Sequence, residues 1–268
     1  MKTWFITGAS RGFGRIWTQA ALERGDRVAA TARRPSTLDD LAGKYSDRLL
    51  PIRLDVTDRA AVFAAVGHAA STFGRLDVVV NNAGYGLFGM VEETSEEQAR
   101  AQLDTNLLGP LWVTQAALPV MRAQGGGHFL QVSSIGGVAA FPTLALYNAS
   151  KWGLEAMSEA LAQEVAGLGI RVTIVEPGPY GTDWSGDSAV HATPLEAYEP
   201  VRAARRSSAT ARAPRDPAGT AEVILRLVDL PEPPLRLFLG GYPYPVAEKA
   251  YRDRLATWEQ WRELAESA

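Results

Sequence analysis

The sequence predicts an α/β fold in which helices cover both faces of a doubly wound, mostly parallel seven-stranded sheet. Seven short apolar runs recur along the 268 residues, and amphipathic helical patterns separate them. Several runs lack the apolar–polar alternation of a strand that faces water on one side, as expected for buried parallel strands. The runs lie at 4–7, 28–31, 50–54, 76–80, 128–132, 172–175 and 235–239. Because the two patterns alternate from end to end, we expect a single domain over residues 1–268.

The helical segments between the runs carry start and stop signals. Gly25 follows the first helical pattern and is expected to end that helix as its C-cap. Asp58 and Ser95 are N-cap residue types, and they precede helices predicted over 60–73 and 99–124.

Residues 177–217 depart from the alternating pattern. This segment is rich in proline, glycine and serine and is too long for an ordinary connection, so it is either a substrate lid or a partly disordered insertion. Its arginines form a solvated lid face or, in the alternative, bind an anionic substrate: Arg202, Arg205, Arg206, Arg212 and Arg215. A C-terminal helix is expected over about residues 247–266, with Trp258 and Trp261 packed on their own subunit or across an interface.

Composition and charge exclude several classes of protein. The chain has 27 Lys and Arg against 30 Asp and Glu, a net charge of −3, which gives no electrostatic reason to expect nucleic acid or an anionic membrane as partner. No stretch approaches the roughly 20 apolar residues of a membrane span. The absence of cysteine excludes thiolate metal sites and fits a cytoplasmic protein. The three histidines have no metal-ligand spacing. We expect His128 and His191 at a strand end or on the surface.

A glycine-rich turn directly follows the first apolar run and opens the first helix. Residues 7–14 read TGASRGFG. Backbone N–H groups of such a turn and the helix N-terminus bind a pyrophosphate, and glycines are needed where a side chain would block its approach. The strand–turn–helix context favours dinucleotide binding over a purely structural turn. The candidate contacts are Gly8, Ser10, Arg11, Gly12, Phe13 and Gly14.

The end of the second run predicts which dinucleotide binds. An acidic residue there would hold a ribose 2′-hydroxyl and repel a 2′-phosphate, but residues 31–34 read TARR and no carboxylate follows until Asp39. Arg33 therefore predicts NADP(H) in preference to NAD(H). Arg34 is the weaker candidate because of its strand parity, and Arg11 could approach the same phosphate from the glycine turn. The alternative is a pair of solvated surface arginines.

Asp55 ends the third run and is followed by Val56. Its position suits a carboxylate that accepts a hydrogen bond from the adenine amino group. It could equally be a helix-capping aspartate.

A tyrosine and a lysine four residues apart suggest acid–base chemistry. Tyr147 and Lys151 share one face of a predicted helix. A phenol with a pKa near 10 is a poor acid or base at neutral pH, but a neighbouring ammonium group stabilises the phenolate and lowers that pKa. Ser133 and Ser134 end the fifth run, where a hydroxyl could donate to a carbonyl oxygen, and two glycines that follow leave room for a substrate.

Taken together, these motifs resemble the short-chain dehydrogenase/reductase family, in its short-subunit branch with one Rossmann domain. The similarity runs from Thr7 to Thr182 and includes the glycine turn and the NNAG motif at 81–84. It implies a catalytic tetrad of Asn106, Ser134, Tyr147 and Lys151, in which Ser134 lies 13 residues before the tyrosine. It also implies nucleotide contacts at Asn82, Ala83, Gly84, Tyr147, Lys151, Pro177, Gly178 and Thr182.

The resemblance implies a role for each member of the tetrad. Tyr147 would exchange a proton with the substrate oxygen, and Ser134 would hydrogen-bond that oxygen. Lys151 would lower the tyrosine pKa and bond the nicotinamide ribose. Asn106, on a helix expected to kink at Pro110, would position a water that passes protons onward.

These roles imply an NADP(H)-dependent oxidoreductase that interconverts a ketone or aldehyde with an alcohol. Within the family, the overall pattern resembles members near the hydroxysteroid and retinol dehydrogenases, so a bulky apolar ketone or alcohol is expected. Its candidate walls are Tyr85, Leu87, Phe88, Phe141, Pro142, Leu144, Trp184 and Tyr198. A homodimer or homotetramer is expected, since the helix after Tyr147 carries alanines opposite its leucines: Ala149, Ala156 and Ala160. The alternative is a catalytically idle NADP(H)-binding sensor or scaffold.

Overall fold

The fold comes from a computed structural model that describes residues 1–186, 188–210 and 214–268. Arg212, one of the arginines of the 177–217 segment, lies outside the described residues. Within the described part, none of the helices combines the length and the apolarity needed to cross a membrane.

Seven parallel strands form the main sheet, as the sequence predicts. In chain order the strands are β1 (Thr3–Ile6), β2 (Arg27–Ala32), β3 (Leu49–Arg53), β4 (Val78–Asn81), β5 (Leu87–Phe88), β6 (Gly127–Val132), β7 (Ile170–Pro177), β8 (Val190–His191) and β9 (Arg236–Leu239). The main sheet has the order β3-β2-β1-β4-β6-β7-β9, and each of its neighbouring pairs is parallel. β5 and β8 pair separately. The strand order reverses between β1 and β4, which opens a crevice at the carboxyl ends of the strands.

The helices connect these strands and cover both faces of the sheet. They are α1 (Gly12–Glu23), α2 (Asp39–Lys44), α3 (Arg59–Phe73), α4 (Glu96–Leu103), α5 (Gly109–Ala123), α6 (Ala145–Val165), α7 (Glu199–Thr210), α8 (Thr220–Leu227), α9 (Pro243–Gln260) and α10 (Arg262–Glu266). The predicted doubly wound α/β class, with a Rossmann-type sheet, is confirmed.

Apolar cores on both faces explain why the strands lack polar alternation. Trp4 and Ile6 of β1 belong to a core shared with α1 and α8, whereas Phe5 between them belongs to a core shared with α3 and α5. All three side chains are fully buried. Burial of each such side chain contributes roughly 1.5–3 kcal/mol, so a polar residue on either face of β1 would be costly.

The predicted N-caps are confirmed. The Asp58 side chain accepts a hydrogen bond from the backbone N–H of Ala61 at 2.9 Å, and Ser95 accepts one from Gln98 at 3.2 Å. Gly25 follows α1 in the left-handed conformation, with a φ of 97°.

Two helix predictions need correction. The single helix expected over 99–124 is divided into α4 and α5 by a widened π-helical turn at Asp104–Leu108, so the interruption precedes Pro110. The C-terminal helix begins at Pro243 rather than near 247. Proline is tolerated in the first turn of a helix, because the N–H group that it lacks would have no partner inside the helix at that position.

Residues expected to be packed are exposed in a single copy of the chain. Trp258 and Trp261 are 66% and 55% exposed, so packing on their own subunit is wrong, and packing across an interface stays a prediction. Ala149, Ala156 and Ala160 form an exposed face of α6.

His128 and His191, expected at a strand end or on the surface, lie in β6 and β8. His128 is buried near the start of β6, with its Nε2 2.9 Å from Thr173 Oγ1, and burial lowers its pKa to about 4. His191 is exposed and stacks on Phe88.

Candidate active site

A cleft of about 1320 Å³ lies at the carboxyl edge of the sheet and brings nearly all predicted site residues together. It is lined by the glycine turn, the ends of several strands, the turn after β6 and the first turns of α6. The predicted residues that line it are Gly8, Ser10, Arg11, Gly12, Phe13, Arg33, Asp55, Val56, Asn82, Ala83, Gly84, Ser134, Tyr147, Lys151, Pro177, Gly178 and Thr182. Gly14 and Asn106 do not line the cleft but support residues that do.

The glycine turn has a backbone that other residues would strain. Gly8 and Gly12 adopt φ values of 67° and 54°, in the left-handed region that favours glycine. A Cβ on Gly14 would lie 2.4 Å from the carbonyl oxygen of Gly8 and 2.5 Å from Asn82 Nδ2. Gly14 thus allows the start of α1 to pack closely against Gly8 and Asn82, which fits a turn that presents the N-terminus of α1 to a pyrophosphate.

Asn82 acts as a brace for this turn. Its Nδ2 donates to the carbonyl oxygens of Thr7 at 2.9 Å and Gly8 at 3.1 Å. In return, Thr7 Oγ1 accepts the backbone N–H groups of Asn82 and Ala83, both at 3.0 Å. The end of β1 and the end of β4 are thus joined around the cleft.

Arg33 is the cationic side chain at the cleft-lining end of β2. It is exposed, and the residues that line the cleft beside it, Thr31 and Ala32, carry no charge. Arg34 is exposed but does not line the cleft. Arg11 lines the cleft with its Nε 3.7 Å from Asp183 Oδ2, so it bridges to the 177–217 segment.

Asp55 has a position that fits the predicted adenine contact. Its Oδ1 accepts hydrogen bonds from Thr57 N and Thr57 Oγ1, at 3.0 Å and 2.8 Å. The side chain that caps α3 belongs to Asp58, so helix capping does not account for Asp55.

Tyr147 and Lys151 lie in the first two turns of α6 and are both buried. Lys151 Nζ donates to the carbonyl oxygen of Val132 at 2.8 Å and lies 5.9 Å from the centre of the Tyr147 ring. Burial raises the pKa of Tyr147 to about 12, against a smaller lowering by the Ser134 hydroxyl. Burial also lowers the pKa of Lys151 to about 8, while the charge of Glu155 opposes this.

Burial is thus the main cause of the raised Tyr147 pKa, and the Ser134 hydroxyl opposes it. The expected lowering of this pKa by Lys151 stays a prediction. Ser134, whose Oγ accepts the N–H of Gly136 at 3.0 Å, lines the same part of the cleft.

Asn106 lies in the π-helical turn and is fully buried. Its Nδ2 donates to the carbonyl oxygen of Tyr85 at 3.0 Å and to Ser150 Oγ at 3.2 Å, and its Oδ1 accepts the N–H of Tyr85 at 3.1 Å. The side chain thus clamps the loop after β4 to α6. Its expected role in holding a water stays a prediction.

Aromatic side chains line the cleft beyond Tyr147. The Trp184 ring centre lies 4.9 Å from that of Tyr147 and 5.2 Å from that of Phe88. Six of the predicted wall residues line the cleft: Tyr85, Phe88, Phe141, Pro142, Leu144 and Trp184. The prediction is wrong for Leu87, which is buried beneath, and for Tyr198, whose hydroxyl bonds Glu92 away from the cleft.

The arginines of the 177–217 segment are not uniformly solvated. Arg202 forms an ion pair with Glu93 at 2.5 Å, and the Glu93 side chain is only 2% exposed. Arg205 lines the cleft, over the Phe88 ring. Three apolar residues of the predicted lid segment also line the cleft without having been predicted from the sequence: Val190, Val201 and Ala204.

The described residues contain no group of three or more histidine, aspartate or glutamate side chains arranged to hold a metal ion.

Comparison with known proteins finds one family repeatedly. The family model described as short chain dehydrogenase matches residues 2–191. Oxidoreductase BOA17 of Botryotinia fuckeliana is 42% identical over 268 residues, which cover 98% of each chain.

Solved structures give the same result. A short-chain dehydrogenase from Streptomyces avermitilis superposes with a TM-score of 0.93 at 39% identity, covering 100% of this chain and 99% of that one. A short-chain dehydrogenase from Burkholderia cenocepacia, crystallised with NADP, has a TM-score of 0.77 at 26% identity, covering 97% and 98%. A 3-ketoacyl-(acyl-carrier-protein) reductase from Brucella melitensis, crystallised with NADH, has a TM-score of 0.76 at 28% identity, covering 89% and 96%.

Proposed function

This chain belongs to the short-chain dehydrogenase family of oxidoreductases, and we propose that it is an NADP(H)-dependent enzyme that interconverts a ketone or aldehyde with the corresponding alcohol. One observation carries the proposal. A buried phenol, Tyr147, lines a single cleft together with Ser134, Lys151 and the glycine turn.

The residues along the cleft suit a nicotinamide dinucleotide. The glycine turn would hold the pyrophosphate, Asp55 would accept from the adenine amino group, and Lys151 would bond the nicotinamide ribose. Pro177, Gly178 and Thr182 would flank the nicotinamide, with Val56, Ala83 and Gly84 along the adenosine half. When bound, the cofactor supplies the hydride.

The preference for NADP(H) rests on Arg33. A charge-assisted hydrogen bond to a 2′-phosphate contributes about 1.5–3 kcal/mol, or roughly 10- to 100-fold in affinity. The cleft-lining residues that precede Arg33, Thr31 and Ala32, carry no charge, and the carboxylate of the adenosine half, Asp55, follows the neighbouring strand β3. This preference makes reduction the favoured direction in a cell.

In reduction, Tyr147 donates its proton to the substrate oxygen. Its pKa of about 12 means that the phenol carries its proton at neutral pH, and because such a phenol is a weak acid, the transfer depends on positive charge that stabilises the phenolate. Ser134 hydrogen-bonds the same oxygen and stabilises the charge that develops on it. The Lys151 ammonium places a positive charge beside the phenolate that remains.

The substrate is a bulky apolar carbonyl compound or alcohol. Phe88, Phe141 and Trp184 surround the space next to Tyr147. Residues 177–217 act as its lid in one domain that spans 1–268. The exposed alanine face of α6 and the exposed tryptophans of α9 and α10 support a homodimer or homotetramer. We place the enzyme in the cytoplasm.

Oxidation of NADPH, followed by its absorbance, tests the proposal against a panel of ketones, aldehydes and quinones. We expect consumption with at least one apolar carbonyl, and a loss of about 10²–10⁴-fold in Tyr147→Phe with nearly unchanged NADPH affinity. Tyr85→Phe, which removes another cleft-lining phenol, is the matched control and should keep most of the activity. Tight NADPH binding without turnover on any carbonyl would instead support a sensor or scaffold.

A further inference from the structure

Two buried glutamates lie behind the tetrad, outside the cleft. Glu155 follows Lys151 by one turn of α6, and Glu176 lies near the end of β7. They are 6% and 1% exposed, and neither lines the cleft. Ionised carboxylates are costly to bury unless they are paired and hydrogen-bonded, so the surroundings of this pair need an explanation.

One arginine serves both carboxylates. Arg236 of β9 places its Nε 3.4 Å from Glu155 Oε2 and 3.7 Å from Glu176 Oε1, while its Nη2 lies 2.8 Å from the exposed Glu159. A single cation therefore faces two buried carboxylates. Two negative charges at this site would be only half compensated.

A shared proton resolves this imbalance. None of the four carboxylate oxygens of Glu155 and Glu176 has a hydrogen-bond partner at bonding distance within the described residues. Both carboxyl groups lie within 4 Å of the same Arg236 Nε, so a proton on one of them would remove the uncompensated charge. Burial raises the pKa of Glu155, and burial together with the Glu155 charge raises that of Glu176 to about 8. Because Arg236 compensates only one of the two carboxylates, we expect the pair to hold one proton at neutral pH, on Glu176, and one negative charge, on Glu155.

Glu155 lies close to Ser133, at the strand end that precedes Ser134. A Cβ on Gly137 would lie 2.5 Å from Ser133 Oγ and 3.0 Å from Glu155 Oε1, so only glycine at 137 leaves the hydroxyl and the carboxyl facing each other. Ser133 lies between Val132, whose carbonyl oxygen binds Lys151 Nζ, and the catalytic Ser134. The pair is therefore next to both the lysine and the strand end that positions it.

We propose that Glu155 and Glu176 act as a positioning pair for Lys151: their single shared negative charge, one helical turn behind the lysine, keeps Lys151 an ammonium ion in its buried position. The inference rests on the proposed function for the role of that ammonium. The pair itself touches neither substrate nor nucleotide.

Few other charges face the pair in the described structure. Lys151 and Glu159 come from α6 and Arg236 comes from β9, while the turn at 135–137 and the neighbouring end of β6 contribute no ionisable side chain. The pKa of Lys151 therefore reports on the charge of Glu155, because burial lowers this pKa and the Glu155 charge raises it.

The test is the Lys151 titration, measured by NMR on protein labelled with ¹³C at lysine. The chain has four lysines, at 2, 44, 151 and 249, and the signal lost in Lys151→Met identifies the one of interest. In Glu155→Gln the nearby charge is removed, so we expect the Lys151 pKa to fall by about one unit. In Glu176→Gln the charge is no longer shared and remains on Glu155, so the pKa should hold or rise.

The two variants are nearly isosteric, and each is informative alone. An unchanged Lys151 pKa in Glu155→Gln, or a fall in Glu176→Gln, would overturn the proposal. A merely structural role predicts similar changes in both. Because the titration needs no turnover, its outcome is separate from that of the NADPH assay, which tests the proposed function.

Discussion

The two halves of the cleft are held together in different ways. In the nucleotide half, the glycine turn and Asn82 are joined by short hydrogen bonds between motif residues, and close glycine contacts leave no space for a Cβ. In the substrate half, residues 183–205 are attached by the short β5–β8 pairing and by ion pairs such as Glu93–Arg202, which joins residues 109 apart in the chain. Close packing and hydrogen bonds therefore hold the nucleotide half in place, whereas the substrate half depends on a few contacts that single substitutions can remove.

The largest effect is expected in the nucleotide half, from Gly14→Ala. The added methyl would lie 2.4 Å from a backbone carbonyl oxygen that cannot move away without distorting the turn. We expect NADPH affinity, measured by fluorescence titration, to fall by more than about 100-fold and stability by about 1–3 kcal/mol.

Gly67→Ala is the matched control for this prediction. Gly67 lies inside α3 with nothing within 4 Å of the position of its Cβ, so alanine should stabilise the protein by up to about 1 kcal/mol. Equal losses of NADPH affinity and stability in the two variants would contradict the claim that close packing in the glycine turn positions the nucleotide.

Arg33→Asp tests the role of charge in the nucleotide half, because Arg33 is exposed and its replacement changes the charge of the cleft but not the packing of the core. We expect NADPH to bind roughly 10- to 100-fold more weakly, with NADH affinity nearly unchanged, because only the 2′-phosphate is lost as a partner. Arg34→Asp, which alters an exposed arginine outside the cleft, is the control. Parallel weakening of both nucleotides would refute the phosphate assignment.

Glu93→Gln tests the substrate half. It removes the charge that holds Arg202, while Glu93 also accepts the backbone N–H groups of Met90 and Leu195 at 2.8 Å. We expect KM for the carbonyl substrate to rise about tenfold, a little over 1 kcal/mol, with NADPH affinity unchanged.

Glu199→Gln is the control for the Glu93 variant, since Glu199 pairs with the same arginine from an exposed position. It should change KM less than twofold. A loss of nucleotide affinity in Glu93→Gln would contradict the separation of the two halves.

The dependence of stability on pH involves His128, which lies far from both halves of the cleft. The pKa of His128 falls from its usual 6.5 to about 4 on burial, so the unfolded chain binds a proton that the folded chain excludes. The folded state should therefore lose up to about 3 kcal/mol as the pH drops from 6.5 to 4. Thermal unfolding of His128→Asn should show a weaker acid dependence than that of His191→Asn, which alters an exposed side chain.

The same contrast separates what could be predicted from sequence from what could not. The glycine turn, Asn82 and the Tyr147–Lys151 spacing are local patterns, and the structure brings them to one cleft. The Glu93–Arg202 pair, the buried position of Leu87 and the raised Tyr147 pKa depend on distant segments that pack against them. The π-helical turn at Asp104–Leu108 also left no local signal except the nearby Pro110.

The most direct test of the central claim is single-turnover oxidation of bound NADPH by an accepted carbonyl substrate, measured across the Lys151 pKa of about 8. If the neutral Tyr147 phenol donates the proton and a charged Lys151 supports it, the rate is steady below that pH and falls above it, and Tyr147→Phe stays near the background rate throughout. A rate that ignores pH over this range, or a Tyr147→Phe protein that turns over like the parent, would contradict the account.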